Sequence, residues 1–214
     1  MNNYQLLFYR ITISACLALN SCNFNSTKPP DALASVVNES KGLGSYALKE
    51  GLPKIKWTAY KFTDKIGVSG SFNRITHQTF KKRGTVRQLL EDASFTIETK
   101  SINSNLELRD ERIYNYFFKT IDADTISGKF IEVSDTKGEI NINMSGKSRS
   151  IPFTYTSYMD TVRISITLDL MYWNALPGIE ALNKVCNEVH IGADGISMLW
   201  TDVNVEVEIA IQPL

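Results

Sequence analysis

Strict two-residue alternation is the feature that most constrains this chain. Val203, Val205, Val207, Ile209 and Ile211 are apolar, and Asn204, Glu206 and Glu208 lie between them. A strand with that period has one dry face and one wet face. Val162, Ile164, Ile166, Leu168 and Leu170 alternate in the same way with Arg163, Ser165, Thr167 and Asp169. Ile140, Ile142 and Met144 do so with Asn141, Asn143 and Ser145, and Gly146-Lys147-Ser148 then turns the chain into a strand over 151–156. Trp57 to Phe62 and Val68 to Phe72 are the opening strands, broken at Asp64-Lys65, and Asp194-Gly195 is a further hairpin turn signal. Many short antiparallel strands with turn residues between them predict a sandwich or a barrel. Periodicity does not decide between the two, because an apolar-lined barrel and a solid sandwich core share it.

Two segments break the strand period. Glu107 to Tyr116 is short and charged, and Gly178 to Glu188 is longer, with Pro177 near its start. Both are predicted helical; a proline in the first turn costs little because its missing N–H has no helical partner there. From Ile55 to Ile211 the chain fits one domain, long enough to bury a substantial core.

The N-terminus carries one charge, Arg10, then an apolar run from Ile11 to Leu19, then Asn20-Ser21-Cys22. That is the layout of a secretory leader, with a run too short to span a bilayer. Leu19-Asn20-Ser21-Cys22 resembles a bacterial lipobox, whose cysteine is acylated and becomes the new N-terminus. Ile13-Ser14-Ala15-Cys16 is a rival, but almost no apolar run precedes it; an ordinary leader cleaved nearby is the other reading. The expectation is a signal peptide over 1–21, lipidation at Cys22, and a polar tether over 22–53 rich in Asn, Ser, Lys, Pro and Gly. Such a chain would be a bacterial envelope lipoprotein, facing the periplasm or in the outer membrane, held by its N-terminal lipid anchor.

Cys186 is then left without a disulfide partner. It sits among Ile179, Leu182, Val185 and Val189, a helical apolar stripe, and is read as a small buried hydrophobe rather than a nucleophile. The 23 Lys and Arg balance the 23 Asp and Glu, so no nucleic-acid partner is expected. The one basic run, Lys81-Lys82-Arg83 with Arg87 beyond, is either a solvated loop or a contact for an anionic lipid headgroup at a barrel mouth.

Nothing supplies catalysis. His77 and His190 are the only histidines and have no ligand-spaced neighbours, so no metal is expected. Asp122-x-Asp124 with Gly128 lacks the spacing and closing Glu of a calcium loop. No nucleophile elbow, phosphate loop or dinucleotide fingerprint occurs.

The stretch from Ser101 to Phe130 is more specific. The alternation Phe95, Ile97, Thr99 ends in a Ser/Asn-rich turn; Arg109-Asp110 follows, then Ile113, Tyr114, Tyr116, Phe117 and Phe118, then a strand around Phe130. An aromatic strand from Trp57 leads to Val68-Ser69-Gly70-Ser71-Phe72, Gly138 to Pro152 makes a hairpin, and Trp200-Thr201-Asp202-Val203 opens the closing strand. In this order the pieces resemble the YceI-like family, bacterial polyisoprenoid-binding proteins with a lipocalin-like fold. The resemblance covers most of 54–211. It implies a mainly β domain over 54–214, an antiparallel barrel of about eight strands with one or two short helices.

It also implies a non-catalytic binder, without cofactor, of an apolar isoprenoid-type lipid (a polyprenyl or quinone tail) in the barrel lumen. The residues it places at the lumen or its mouth are Trp57, Phe72, Arg109, Asp110, Phe117, Phe118, Phe130, Val205 and Val207. Arg109-Asp110 has two readings, a salt bridge pinning the short helix or an Arg fork offered to a headgroup. The family's histidines in the first hairpin and after the Arg-Asp pair are replaced here by the Phe62-Thr63 region and by Glu111-Arg112. The segment Asn174 to Val189 is longer than the family pattern, and is a lid or a plug. If it plugs the lumen, the chain is a filled-barrel interaction lipoprotein with no lipid ligand. An exposed edge strand could pair two copies as a homodimer.

Overall fold

The computed structural model describes residues 44–51, 53–79 and 81–214. The expected leader over 1–21, the expected lipidation site Cys22 and the expected tether as far as residue 43 lie outside the described residues. In chain order the elements are β1 (Tyr46–Leu48), β2 (Lys54–Lys61), β3 (Ile66–Phe72), β4 (Ile75–Thr79), β5 (Arg83–Gly84), α1 (Val86–Leu90), β6 (Ser94–Glu98) and β7 (Ile102–Asn103). There follow α2 (Glu107–Arg112), β8 (Thr125–Val133), β9 (Lys137–Met144), β10 (Lys147–Tyr158), β11 (Thr161–Asp169), α3 (Leu176–Val185), α4 (Asn187–His190) and β12 (Leu199–Pro213).

All pairings are antiparallel, in the order β4-β6-β8-β9-β10-β11-β12-β2-β3-β7. The two ends of that order are parts of the same two chain runs. β3 continues into β4 through Asn73-Arg74, and β6 continues into β7 through a 3₁₀ turn at Thr99–Ser101. These runs pair from Ser71↔Asn103 and Phe72↔Ile102, through backbone bonds from Asn73 N–H to Ser101 O and from Glu98 N–H to Arg74 O, to Thr79↔Ser94. The sheet therefore curls back on itself as a lipocalin-like barrel, whose wall is β2, β3–β4, β6–β7, β8, β9, β10, β11 and β12.

The alternation in the sequence becomes the two faces of this wall. In the β11–β12 pair, Ile164, Ile166 and Leu168 stand opposite Val207, Val205 and Val203, and Arg163 stands opposite Glu208 on the outer face. The Arg163 guanidinium donates to Glu208 Oε1 at 2.6 Å in solvent, a pair of small energetic weight. Ser145 and Gly146, both with positive φ, join Met144 to Lys147, the backbone a two-residue hairpin with the strands' right-handed twist requires.

Four elements depart from expectation. Tyr46–Leu48 falls within the stretch read as tether, yet it pairs with the end of β12 and with β5; three residues are too few to show a period. α1 was not anticipated for a similar reason. It is five residues long, capped reciprocally by Thr85 and Gln88, and buries Val86, Leu89 and Leu90 across one end of the barrel. The charged helix is α-helical only to Arg112 and continues as a π-helical turn, Ile113–Phe118, with Lys119 N–H bonded to Tyr114 O. That wider turn accompanies the burial of two successive aromatics, Phe117 and Phe118. α3 begins at Leu176, two residues before the expected start, and packs against the π-helical turn.

Candidate functional site

The barrel is packed at the α1 end and hollow beyond it. The hollow offers about 210 Å³ of free space, a slot narrower than the roughly 300–1,000 Å³ of ordinary small-molecule pockets. It stays open because the β12 wall presents short branched side chains, Val203, Val205, Val207 and Ile209; an eight-strand barrel is just wide enough to be filled by side chains or to hold one small ligand. Ile166 lies beside Val205 on the neighbouring strand β11, and Phe130 of β8 with Ile140, Ile142 and Met144 of β9 also line the hollow. The π-helical turn contributes Ile113, Phe117 and Phe118, and α3 contributes Ile179 and Leu182. α3 thus lines the cavity and leaves it open.

Aromatic contacts hold this wall. The Phe117 and Phe118 rings meet edge to face at 5.0 Å, Phe118 meets Phe72 at 6.3 Å, and Phe130 meets Phe153 at 5.1 Å and 88°. Such pairs add modestly to the stability that area burial provides. The Trp57 indole N–H donates to Ser71 O at 3.1 Å, which satisfies the one polar atom of that ring.

Of the residues read from the sequence, Trp57, Phe72, Phe117, Phe118, Phe130, Val205 and Val207 line the cavity together. Arg109 and Asp110 are not brought to it. They hold Ser104, which is 3% exposed: Asp110 accepts from the Ser104 N–H at 2.8 Å and from its hydroxyl, while Arg109 donates to Ser104 Oγ at 2.7 Å and to Ser104 O at 2.6 Å. The pair fastens the end of β7 to α2 through Ser104, not through a salt bridge to each other.

Sequence reasoning missed Ile55, Tyr60, His77, Phe95 and Leu182 in the lining. Phe95 belongs to an alternation that was visible; His77 was seen only as a lone histidine. Burial lowers the His77 pKa below its ordinary 6.5, so the ring is neutral at neutral pH. His190 lies elsewhere, between α4 and the 191–197 turn, with Nδ1 3.0 Å from Asn183 Oδ1. Burial, then the positive charges of Lys61 and Arg112, lower its pKa to about 4.

Among the described residues lining the cavity there is no acid, Lys, Arg, Ser, Thr or Cys. Among the described residues no group of His, Cys, Asp and Glu could hold a metal ion. Cys186 is buried with a free thiol. The surface is built to receive apolar matter.

The family model of the YceI-like domain matches residues 46–211. The chain belongs to the YceI-like family. Its YceI-like barrel is similar to a polyisoprenoid binding domain from Saccharophagus degradans, described as implicated in plant cell wall breakdown. The two are 13% identical, with 79% of this chain and 98% of that one covered and a TM-score of 0.53. It is also similar to Burkholderia cenocepacia BcnA, with 11% identity, 74% and 95% coverage and a TM-score of 0.49. A Campylobacter jejuni YCEI protein is 13% identical, with 69% and 85% coverage and a TM-score of 0.42. The first likeness supports the shared fold. No curated protein matches the chain.

Proposed function

We propose that this YceI-like domain binds, without catalysis, one apolar isoprenoid-type lipid, a polyprenyl chain or the tail of a quinone, in the barrel lumen. The observation that carries the reading is the cavity: narrow, continuous and lined almost wholly by aliphatic and aromatic side chains. Affinity would come from removing chain surface from water, at about 25 cal/mol per Å², and a wall of branched aliphatic and aromatic side chains suits a repeating branched hydrocarbon. The description of the Saccharophagus degradans neighbour as a polyisoprenoid binding domain supports the same class of ligand. The Leu19-Asn20-Ser21-Cys22 motif supports a lipoprotein anchored in the bacterial envelope, where such lipids reside.

The test is native mass spectrometry on residues 30–214, purified without detergent. A reproducible added mass matching a prenyl lipid, retained or regained after incubation with an isoprenoid quinone, is the expected result. A bare mass that stays bare after incubation overturns the reading in favour of a lipoprotein whose barrel has no lipid ligand.

A further inference from the structure

A second hollow is roomier than the lumen. It is a groove between the 100–106 run and the helical segment from Glu107 to Lys119, and it offers about 580 Å³ of free space, within the roughly 300–1,000 Å³ of ordinary small-molecule pockets. Buried Ile102 lines both the groove and the lumen, so the two share a wall. Hydrogen bonds fix the frame of the groove. Asn103 donates a side-chain amide hydrogen to Asn73 Oδ1 at 3.1 Å and accepts the Asn105 N–H at 2.9 Å. Asp110 is held to Ser104, as described above, and the Tyr114 hydroxyl donates to Asp124 Oδ1 at 3.2 Å.

The lining is graded in charge along the helical segment. Glu107, Glu111, Asn115 and Lys119 follow one another at four-residue steps, and all four line the groove; residues so spaced share a helix face. Lys100 joins Lys119 at the basic end, on a 3₁₀ turn that packs against the π-helical turn. These two lysines and two glutamates are exposed, and among the described residues none of them is in an ion pair. Lys119 stands 5.1 Å from the centre of the Tyr114 ring. Two glutamates four residues apart repel each other and weaken a helix slightly, and nothing on this chain neutralises them. Between the charged ends, the side-chain amides of Asn105 and Asn115 make no hydrogen bond among the described residues.

We propose that this groove binds a short peptide with free ends, its ammonium group beside Glu107 and Glu111 and its carboxylate beside Lys100 and Lys119. From Glu107 to Lys119 the helix axis runs roughly 18 Å at about 1.5 Å per residue, the reach of about five extended residues. A ligand of single charge would be attracted at one end of the groove and repelled at the other, whereas a peptide matches both. Each Asn amide carries donors and an acceptor, the two kinds of group that a peptide backbone presents at every residue. The inference does not depend on what the lumen holds. Exposed charges each contribute little and are screened by salt, so the peptide binds weakly and its recognition depends on ionic strength.

The test is isothermal titration calorimetry of the purified protein at low salt. The probes are tetra-alanine with both ends free and its N-acetylated, C-amidated and doubly blocked forms, which share a backbone and differ only in their end charges. Each block is expected to weaken binding about fivefold, since it removes the partner of two exposed charges, and high salt is expected to shrink the difference. In the double variant Glu107→Gln, Glu111→Gln the acetyl block should lose its effect while the amide block keeps it. In Lys100→Gln, Lys119→Gln the amide block should lose its effect while the acetyl block keeps it. Equal affinities of the four peptides for the parent protein overturn the proposal, and so does binding of none of them; both results are read without any variant. A block that keeps its full effect in the matching variant overturns it as well, because the end charge is then recognised elsewhere.

Discussion

Trp57 and Gly70 form the last rung joining β2 to β3. The indole occupies the space a side chain at position 70 would need: a Cβ there would stand 2.3 Å from Trp57 Cζ2 and 2.6 Å from the backbone oxygen of Asn103. The first neighbour is a ring that lines the cavity, and the second is main chain, so neither yields cheaply. Gly70→Ala is expected to lower stability by about 1–3 kcal/mol, the usual cost of overpacking, and to move Trp57 into the lumen. Gly67→Ala, whose nearest neighbour is the Thr58 Cγ2 methyl at 3.1 Å, should be much milder. Thermal denaturation of the two variants side by side checks this; equal midpoints would refute the close-approach argument.

The lumen and the packed core should answer differently to added bulk. Val205 faces empty space, whereas Ile164, one rung along on β11, is fully buried and outside the cavity lining. Val205→Trp or Val207→Trp is expected to abolish lipid retention by native mass spectrometry while circular dichroism stays that of the parent. Ile164→Trp is expected to unfold the domain instead. Full lipid occupancy in a folded Val205→Trp protein would place the ligand elsewhere.

These contrasts show what could be read from the sequence. The long strands β9 to β12 were legible because one dry face enforces a two-residue period over many positions, and a one-residue slip would turn all of it outward. Their inward residues were legible for the same reason, Val205 and Val207 among them. What periodicity does not encode is whether facing side chains meet in the middle, so the cavity itself needed the structure. The join of β3–β4 to β6–β7, the three-residue β1 and the five-residue α1 were invisible because such short pieces carry no pattern. His77 was illegible for a different reason: its role in the lining depends on β4 pairing with β6, a property of the topology.

Arg109 and Asp110 illustrate a charged pair whose work is local. Together they bond the N–H, hydroxyl and carbonyl of buried Ser104. Removing the carboxylate leaves a buried N–H and hydroxyl short of an acceptor, at a cost of about 1–3 kcal/mol. Asp110→Ala and Arg109→Ala should therefore both lower the urea midpoint, and neither should change the relative affinity for lipids of different heads. A selective loss of one lipid class in a stable Arg109→Ala protein would instead give Arg109 a role at the ligand.

His190 should make stability fall on mild acidification. Its folded-state pKa is lowered to about 4 from an ordinary 6.5, first by burial and then by Lys61 and Arg112. The unfolded chain therefore takes up a proton near pH 6.5 while the folded protein does not. More protons bound in the unfolded state means that stability rises with pH across this window. The contribution is intact above pH 6.5 and is lost as pH drops toward 4, where the folded protein protonates as well. By pH 5 the loss is about 2 kcal/mol. Other groups titrate in the same range, so the measurement is a difference: urea denaturation at pH 7 and pH 5 for the parent and for His190→Gln. The parent is expected to lose about 2 kcal/mol more than the variant between the two pH values. Parallel losses would mean that the ring protonates in place, with the contact to Asn183 and the fold around it undisturbed.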